Sequence, residues 1–168
     1  SDTGVTVTAD TTVGGTATGA LTLAAVTLLD GVTLTLGTGI GNAVSLAAVS
    51  GTADGASSSL TLDTTGAVTV SGAVGTDIGT LTVTQSGGVT FSAGVDATAV
   101  VLTDTTGVVS FAGNTTIGSG GLATTAQDYG VSFTGATNSI AGDTTFLNTG
   151  ALVLGDSAGD TLVFAGGL

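Results

Sequence analysis

The residues of this chain that could do chemistry are its 12 aspartates, because the 168-residue sequence contains no Lys, Arg, His, Glu or Cys. Asp156 and Asp160 stand closest together, in the glycine-rich segment 155–160. Carboxylate oxygens at such a turn are ligands that Ca²⁺ prefers. Asp156 and Asp160 are therefore candidate calcium ligands, with an ordinary Asp-Gly turn as the alternative. No other metal and no cofactor is predicted.

Catalysis by carboxylates has little support in the sequence. Asp2-Thr3-Gly4 has the triplet of aspartic proteases, but that chemistry needs two carboxylates that share a proton, and no second copy of the triplet occurs. A β-helical polysaccharide lyase or hydrolase would need clustered carboxylates or a cationic base in a groove. We therefore predict a protein that is not an enzyme.

The charge of the chain limits its partners. A formal charge of −12 without any basic residue excludes nucleic acid, because no cation is present to displace phosphate counterions. The longest nearly apolar stretch, residues 20–29, is about half of what a membrane-spanning helix needs, so no transmembrane segment is predicted. The chain begins at Ser1 rather than at Met, which is typical of a processed or excised product.

Two apolar residues separated by one position, polar in all copies but the last, recur every 20 to 22 residues in the second half of the chain. The two apolar positions are Val68/Val70, Val89/Phe91, Val109/Phe111, Val131/Phe133 and Leu152/Leu154. A period of two indicates half-buried β-strands, and a fixed spacing indicates an internal repeat. Abundant Gly, Thr and Val, with few strong helix formers, favours strands and tight turns and predicts essentially no α-helix.

Each repeat contains two further short strands, so the unit is predicted to form one coil of a stack. We predict an all-β fold, a parallel β-helix (β-solenoid) with about 21 residues per rung and three short strands in each rung. The whole chain, 1–168, is predicted to be one solenoid domain, with less regular rungs in 1–57 and regular repeats in 58–168. It is expected to be a segment or subunit of a larger assembly.

Two details of the repeat can be predicted from its alignment. Residues 60–66 align without gaps on residues 101–107, which places Asp63 and Asp104 two rungs apart with Thr84 between them. Like charges would then not stack directly. A glycine precedes the strand at four equivalent places, where we predict a turn with positive φ. These glycines are Gly66, Gly87, Gly107 and Gly150.

Thr-x-Thr pairs could order water if they lay in register on consecutive rungs, as the flat threonine arrays of ice-binding surfaces do. The pairs are Thr6/Thr8, Thr16/Thr18, Thr33/Thr35 and Thr82/Thr84, and their first members are 10, 17 and 49 residues apart. This spacing predicts no aligned array. The hydroxyls are instead expected to be ordinary solvent-facing side chains of β-strands.

Residues 59–75 (SLTLDTTGAVTVSGAVG) and 150–164 (GALVLGDSAGDTLVF) resemble the β-strand repeats of giant secreted bacterial proteins, of the filamentous-haemagglutinin and autotransporter-passenger class of adhesins. The resemblance covers most of 58–168. It implies an extracellular, right-handed parallel β-helix that serves in adhesion, a surface coat or a matrix, and it brings no catalytic motif.

We therefore expect a structural protein of the extracellular surface, such as a filament, sheath, coat or adhesin stalk. Its partners would be other copies of itself or neighbouring solenoid segments, joined end to end, with cell-surface or matrix polysaccharide as a further candidate. The alternative is a binding module, either an adhesin tip or a face that binds carbohydrate, calcium or ice.

Overall fold

The fold is a β-solenoid of about seven turns with about 22 residues per turn. It is seen in a computed structural model that describes residues 4–16 and 19–168. All regular structure in these residues is β-strand, and every strand pairing is parallel. The predicted fold class is confirmed.

The strands form three faces, and most turns contribute one strand to each face. Face 1 consists of β1 (Val5–Val7), β4 (Val26–Leu28), β7 (Val49–Gly51), β10 (Val74–Gly75), the first parts of β13 (Val95–Thr105) and β15 (Thr115–Thr124), β17 (Thr137–Ile140) and β20 (Thr161–Phe164). Face 2 consists of β2 (Thr11–Val13), β5 (Thr33–Leu36), β8 (Ser58–Asp63), β11 (Ile78–Ser86), the second parts of β13 and β15, and β18 (Thr144–Thr145). Face 3 consists of β3 (Leu21–Leu23), β6 (Val44–Leu46), β9 (Val68–Val70), β12 (Val89–Phe91), β14 (Val108–Phe111), β16 (Gly130–Phe133) and β19 (Leu152–Leu154). Faces 1 and 2 belong to one hydrogen-bonded sheet because β13 and β15 run through both.

Alternation along the strands places the apolar residues in one continuous core. On face 3, Val68, Val89 and Val109 pair in register, and Val131 and Leu152 continue the column. The predicted repeat positions are therefore structural equivalents. The interior of the solenoid is narrow, and aliphatic side chains from all three faces fill it.

The centre of the core contains a stack of three phenylalanine rings. Phe111 lies between Phe91 and Phe133, with ring centroids 5.2 Å and 4.7 Å away and nearly parallel planes. All three side chains are buried. The parallel register forces this arrangement, because equivalent residues of successive rungs stand directly above one another.

The first half of the chain joins the same core despite its irregular spacing. Leu21 pairs with Val44, and Val44 pairs with Val68, so the face 3 column extends through the first three rungs. Differences in rung length are absorbed in the corners. One such corner, at Thr76 and Asp77, turns with left-handed φ angles of 54° and 57° and accepts backbone hydrogen bonds from Gly51 and Ser58.

The ungapped alignment of residues 60–66 with residues 101–107 is wrong in its first half. Leu81 pairs with Leu60 on one side and with Val100, not Val101, on the other. An irregularity between Val83 and Gln85 then shifts the register. Consequently Gln85, and not Thr84, lies between Asp63 and Asp104 in the stack. The expected separation of the two carboxylates by one rung is confirmed.

The predicted positive φ of the four repeat glycines is also wrong. None of them is among the described residues with left-handed φ. They are required for close approach instead. A Cβ on Gly66 would lie 2.0 Å from the carbonyl oxygen of Asn42, and one on Gly150 would lie 2.4 Å from the carbonyl carbon of Tyr129.

Buried hydroxyls organise the corner between faces 2 and 3. Thr64 donates to the carbonyl oxygen of Ile40 (2.6 Å) and accepts from the N–H of Gly66 (3.0 Å). Two rungs along, Thr105 donates to the carbonyl oxygen of Ser86 (2.8 Å), which lies on the rung between, and also contacts the Ser86 hydroxyl. These polar residues are buried because the corner supplies their hydrogen-bond partners.

Candidate functional site

Both candidate calcium ligands lie in the turn between β19 and β20. Asp160 Oδ2 accepts hydrogen bonds from the backbone N–H groups of Asp156 (2.8 Å) and Ser157 (2.9 Å). The hydrogen bond from Asp156 N–H, reinforced by that from Ser157, holds the pKa of Asp160 below its ordinary value, because both bonds favour the charged carboxylate and outweigh its slight desolvation. Asp160 thus closes the turn. Calcium binding by Asp156 and Asp160 stays a prediction, and the described residues contain no cluster of three or more potential metal ligands.

The lowered pKa of Asp160 predicts an acid-sensitive turn. A carboxylate whose folded pKa is depressed stabilises the fold above its ordinary pKa, and the contribution is lost as pH falls through the folded pKa. The amide resonances of Asp156 and Ser157 should therefore titrate together below the ordinary Asp range in an NMR pH series. Asp160→Asn should abolish this titration, whereas the control Asp156→Asn should preserve it. A midpoint at or above the ordinary value would contradict the assignment.

Several other carboxylates connect successive rungs by hydrogen bonds. Asp63 accepts from Gln85 Nε2 (2.8 Å) and from the Thr38 hydroxyl (2.8 Å), and these two partners lie in the rungs on either side. Asp10 accepts from the backbone N–H of Thr33 (2.8 Å). These aspartates therefore act as acceptors along the stack.

The outward side of face 3 carries an unbroken column of hydroxyls. Face 3 has six strands from β3 to β16, and each contributes one residue to this column. The six residues are paired in parallel without a register shift. They are Thr22, Ser45, Thr69, Thr90, Ser110 and Ser132, and Val153 follows on β19. We call this column, with the residues two positions before and after each member, the hydroxyl face; the flanking residues are small except for Val108, which is 49% exposed. Its residues lie within 20–24, 43–47, 67–71, 88–92, 108–112, 130–134 and 151–155.

The hydroxyls of this column are open to solvent. Thr69 and Thr90 are exposed, and Ser45, Ser110 and Ser132 are half-buried by their neighbours in the column. Within the part of the chain that the structure describes, none of the six hydroxyls hydrogen-bonds to another protein group. These hydroxyls are therefore available to form hydrogen bonds with a molecule that contacts the face.

No charged residue belongs to the hydroxyl face. Its seven segments contain no Asp, although the chain carries 12. The described aspartates lie instead on face 1, as Asp96 does, at the end of face 2, as Asp63 and Asp104 do, or in corners and turns. Negative charge therefore surrounds this face without entering it.

The described Thr-x-Thr pairs lie on different faces or on rungs that are not adjacent, as their spacing predicts, but single hydroxyls do align from rung to rung. The column contains only residues outside the Thr-x-Thr pairs, and the sequence distances between its members vary from 20 to 24 residues. On face 2, Thr12, Thr35, Thr61 and Thr82 form a second, shorter column. Neither column can be recognised from the Thr-x-Thr pairs in the sequence, because corners of different lengths separate the residues that align. Thr18, like Asp2 and Thr3, lies outside the described residues.

The chain was compared with protein families, curated proteins and solved structures. Nothing matches it in any of the three. The resemblance to filamentous-haemagglutinin and autotransporter-passenger repeats therefore stays a prediction. In the described residues no helix is long and apolar enough to cross a membrane.

The last turn of the solenoid leaves apolar core positions uncovered. Leu152 and Leu154 continue the inward columns of Val131 and Phe133, which are fully buried. The two leucines are nevertheless 40% and 47% exposed, because β19 is the outermost strand of face 3. Its second backbone edge has no strand beside it in the described residues.

Proposed function

We propose that this chain is a non-enzymatic structural element of an extracellular surface, which forms a filament, sheath, coat or adhesin stalk by stacking end to end. The exposure of Leu152 and Leu154 carries the proposal. A further rung, from a second copy or from a neighbouring solenoid segment, would bury these side chains and pair the uncovered edge of β19, as each rung below it does for its neighbour.

The other end of the stack offers matching chemistry for a second copy. Val5 and Leu21 on the first rung are half-buried and pack against the core, and β1 and β3 are the outermost strands of faces 1 and 3 at that end. A second copy placed in line would pair parallel strand with parallel strand and apolar residue with apolar residue. This is strand addition, in which main-chain hydrogen bonds supply affinity and side chains supply register.

The mechanical strength of such a stack would come from its backbone hydrogen bonds and its aliphatic core. Extraction of any rung would break backbone hydrogen bonds to two neighbours and expose aliphatic core at the same time. The sequence also lacks the Lys and Arg at which trypsin cleaves, which suits a permanently exposed material.

End-to-end stacking can be tested by light scattering and negative-stain electron microscopy of the purified chain. One copy would be a rod about 35 Å long, so we expect longer rods that grow with protein concentration. Leu154→Asp should stop growth by placing a carboxylate in the core column, whereas the control Val153→Asp, on the outward side of the same strand, should permit it.

The same measurements in calcium and in a chelator distinguish two ways in which copies could join. Rods of equal length in the two solutions would support stacking through the strand edges. Loss of the rods in chelator would mean that aspartates join the copies through bound cations. A purified chain that stays monomeric at every concentration would contradict the proposal.

A further inference from the structure

The hydroxyl face is a regular lattice of hydrogen-bonding groups. Parallel strands lie about 4.8 Å apart, so the six aligned hydroxyls repeat at that distance along the solenoid axis. The residues two positions before and after each member lie at or just beyond the ends of these short strands. Several of these also carry hydroxyls, including Ser92 beside Thr90 and Thr134 beside Ser132.

The lattice is rigid. The five members on β6 to β16 are fixed by backbone hydrogen bonds to the strands on both sides, Thr22 is held by those to β6, and no register shift occurs on face 3. The β-branched side chain of threonine has a restricted χ1, so the hydroxyls of Thr69 and Thr90 hold their directions. A rigid periodic surface favours a partner that is itself rigid and periodic, because little side-chain entropy is lost on contact.

The distribution of charge selects the kind of partner. A carboxylate on the face would have to shed its hydration shell on contact, at a cost of several kcal/mol for an unpaired charge. The face has none, although the molecule carries a charge of −12. The partner is therefore uncharged, and it must exchange hydrogen bonds with a column of aligned hydroxyls.

Two other uncharged partners fit the face less well. A second copy of the chain would bury only about 400 Å² on each side, against about 800 Å² in a typical stable complex. It would also lack an apolar centre, since hydroxyls would meet hydroxyls. A polysaccharide would find no aromatic ring, because Phe91, Phe111 and Phe133 point into the core.

We propose that the hydroxyl face binds ice, with its hydroxyls and small neighbours holding a layer of water that merges with the crystal surface. The oxygen repeats of ice lie in the same range as the rung spacing of the aligned hydroxyls. The proposal is independent of end-to-end stacking, because the face runs along the side of the rod.

The test is incorporation of the purified protein into slowly growing ice, measured as the fraction of protein recovered in the frozen part, together with inhibition of ice recrystallisation. The variant Thr69→Tyr/Thr90→Tyr places two rings on the hydroxyl face. The matched control, Thr61→Tyr/Thr82→Tyr, places two rings on the outward side of face 2. Circular dichroism confirms that each variant keeps its β-structure.

We expect the wild-type chain and the face 2 control to be enriched in ice, and the hydroxyl-face variant to be excluded from it. The Leu154→Asp variant should be enriched like the wild type, so failure of stacking and failure of ice binding are distinguishable. Exclusion of the wild-type chain from ice would overturn the proposal, as would equal loss in both tyrosine variants. Retention of the wild-type chain on crystalline cellulose without enrichment in ice would assign the face to a neutral polysaccharide instead.

Discussion

Replacement of Phe111 with alanine is expected to lower the free energy of unfolding by about 4 kcal/mol, the range for a fully buried phenylalanine. The ring is completely buried and stacks on Phe91 and Phe133, so its removal leaves a cavity and two unsupported rings. Neighbouring rungs cannot close the gap, because their spacing is held by the backbone hydrogen bonds of the sheet. Chemical denaturation followed by circular dichroism measures the effect.

The control for this substitution is Ser110→Ala on the same strand. Ser110 points outward, so its replacement should change stability by no more than about 0.5 kcal/mol. In a solenoid each rung is stabilised mainly by its neighbours, so Phe111→Ala should also broaden the transition by weakening the middle of the stack. A loss of stability equal to that of the control would show that the phenylalanine rings do not form a continuous stack.

Replacement of Gly66 with alanine should be nearly as damaging, at about 3 kcal/mol, the upper part of the range for an overpacked site. The added Cβ would lie 2.0 Å from the carbonyl oxygen of Asn42 and 2.5 Å from its carbonyl carbon. Both contacts are with the backbone of the previous rung, so no side chain can rotate away. The two rungs must separate, which strains the hydrogen bond from Thr64 to Ile40 in the same corner.

Gly159 provides a matched control for Gly66. It lies in an exposed turn where an added Cβ would have no atom within 4 Å, and its φ is not left-handed. Gly159→Ala should therefore leave stability unchanged or raise it slightly by restricting the unfolded chain. Thermal unfolding of the two variants compares them directly, and equal stability would refute the close approach of the rungs at Gly66.

The repeat on face 3 could be predicted because it depends on local pattern. Val68, Val89 and Val109 recur at nearly constant spacing, and each is followed by an outward hydroxyl and a second apolar residue. Such a pattern permits few folds, since a short strand can bury its apolar side only against copies of itself. The architecture and the stacking of the equivalent face 3 positions, which include the three phenylalanines, could therefore be predicted from the sequence.

The register on face 2 could not be predicted, because it depends on an irregularity without a local signature. Thr84 and Gln85 are both polar and both follow Val83, so the pattern alone does not show which of them stacks between Asp63 and Asp104. The structure selects Gln85, whose amide can donate to Asp63.

The sequence by itself determined the class of fold, the inward positions of face 3 and the lack of basic side chains, because these depend on composition and on a period of two. Only the tertiary structure decided the role of the repeat glycines, the uncovered leucines of the last turn and the alignment of six hydroxyls. Each of these depends on which residues of different rungs come face to face. Corners of unequal length set that register, and their lengths are resolved only when every rung packs against the next.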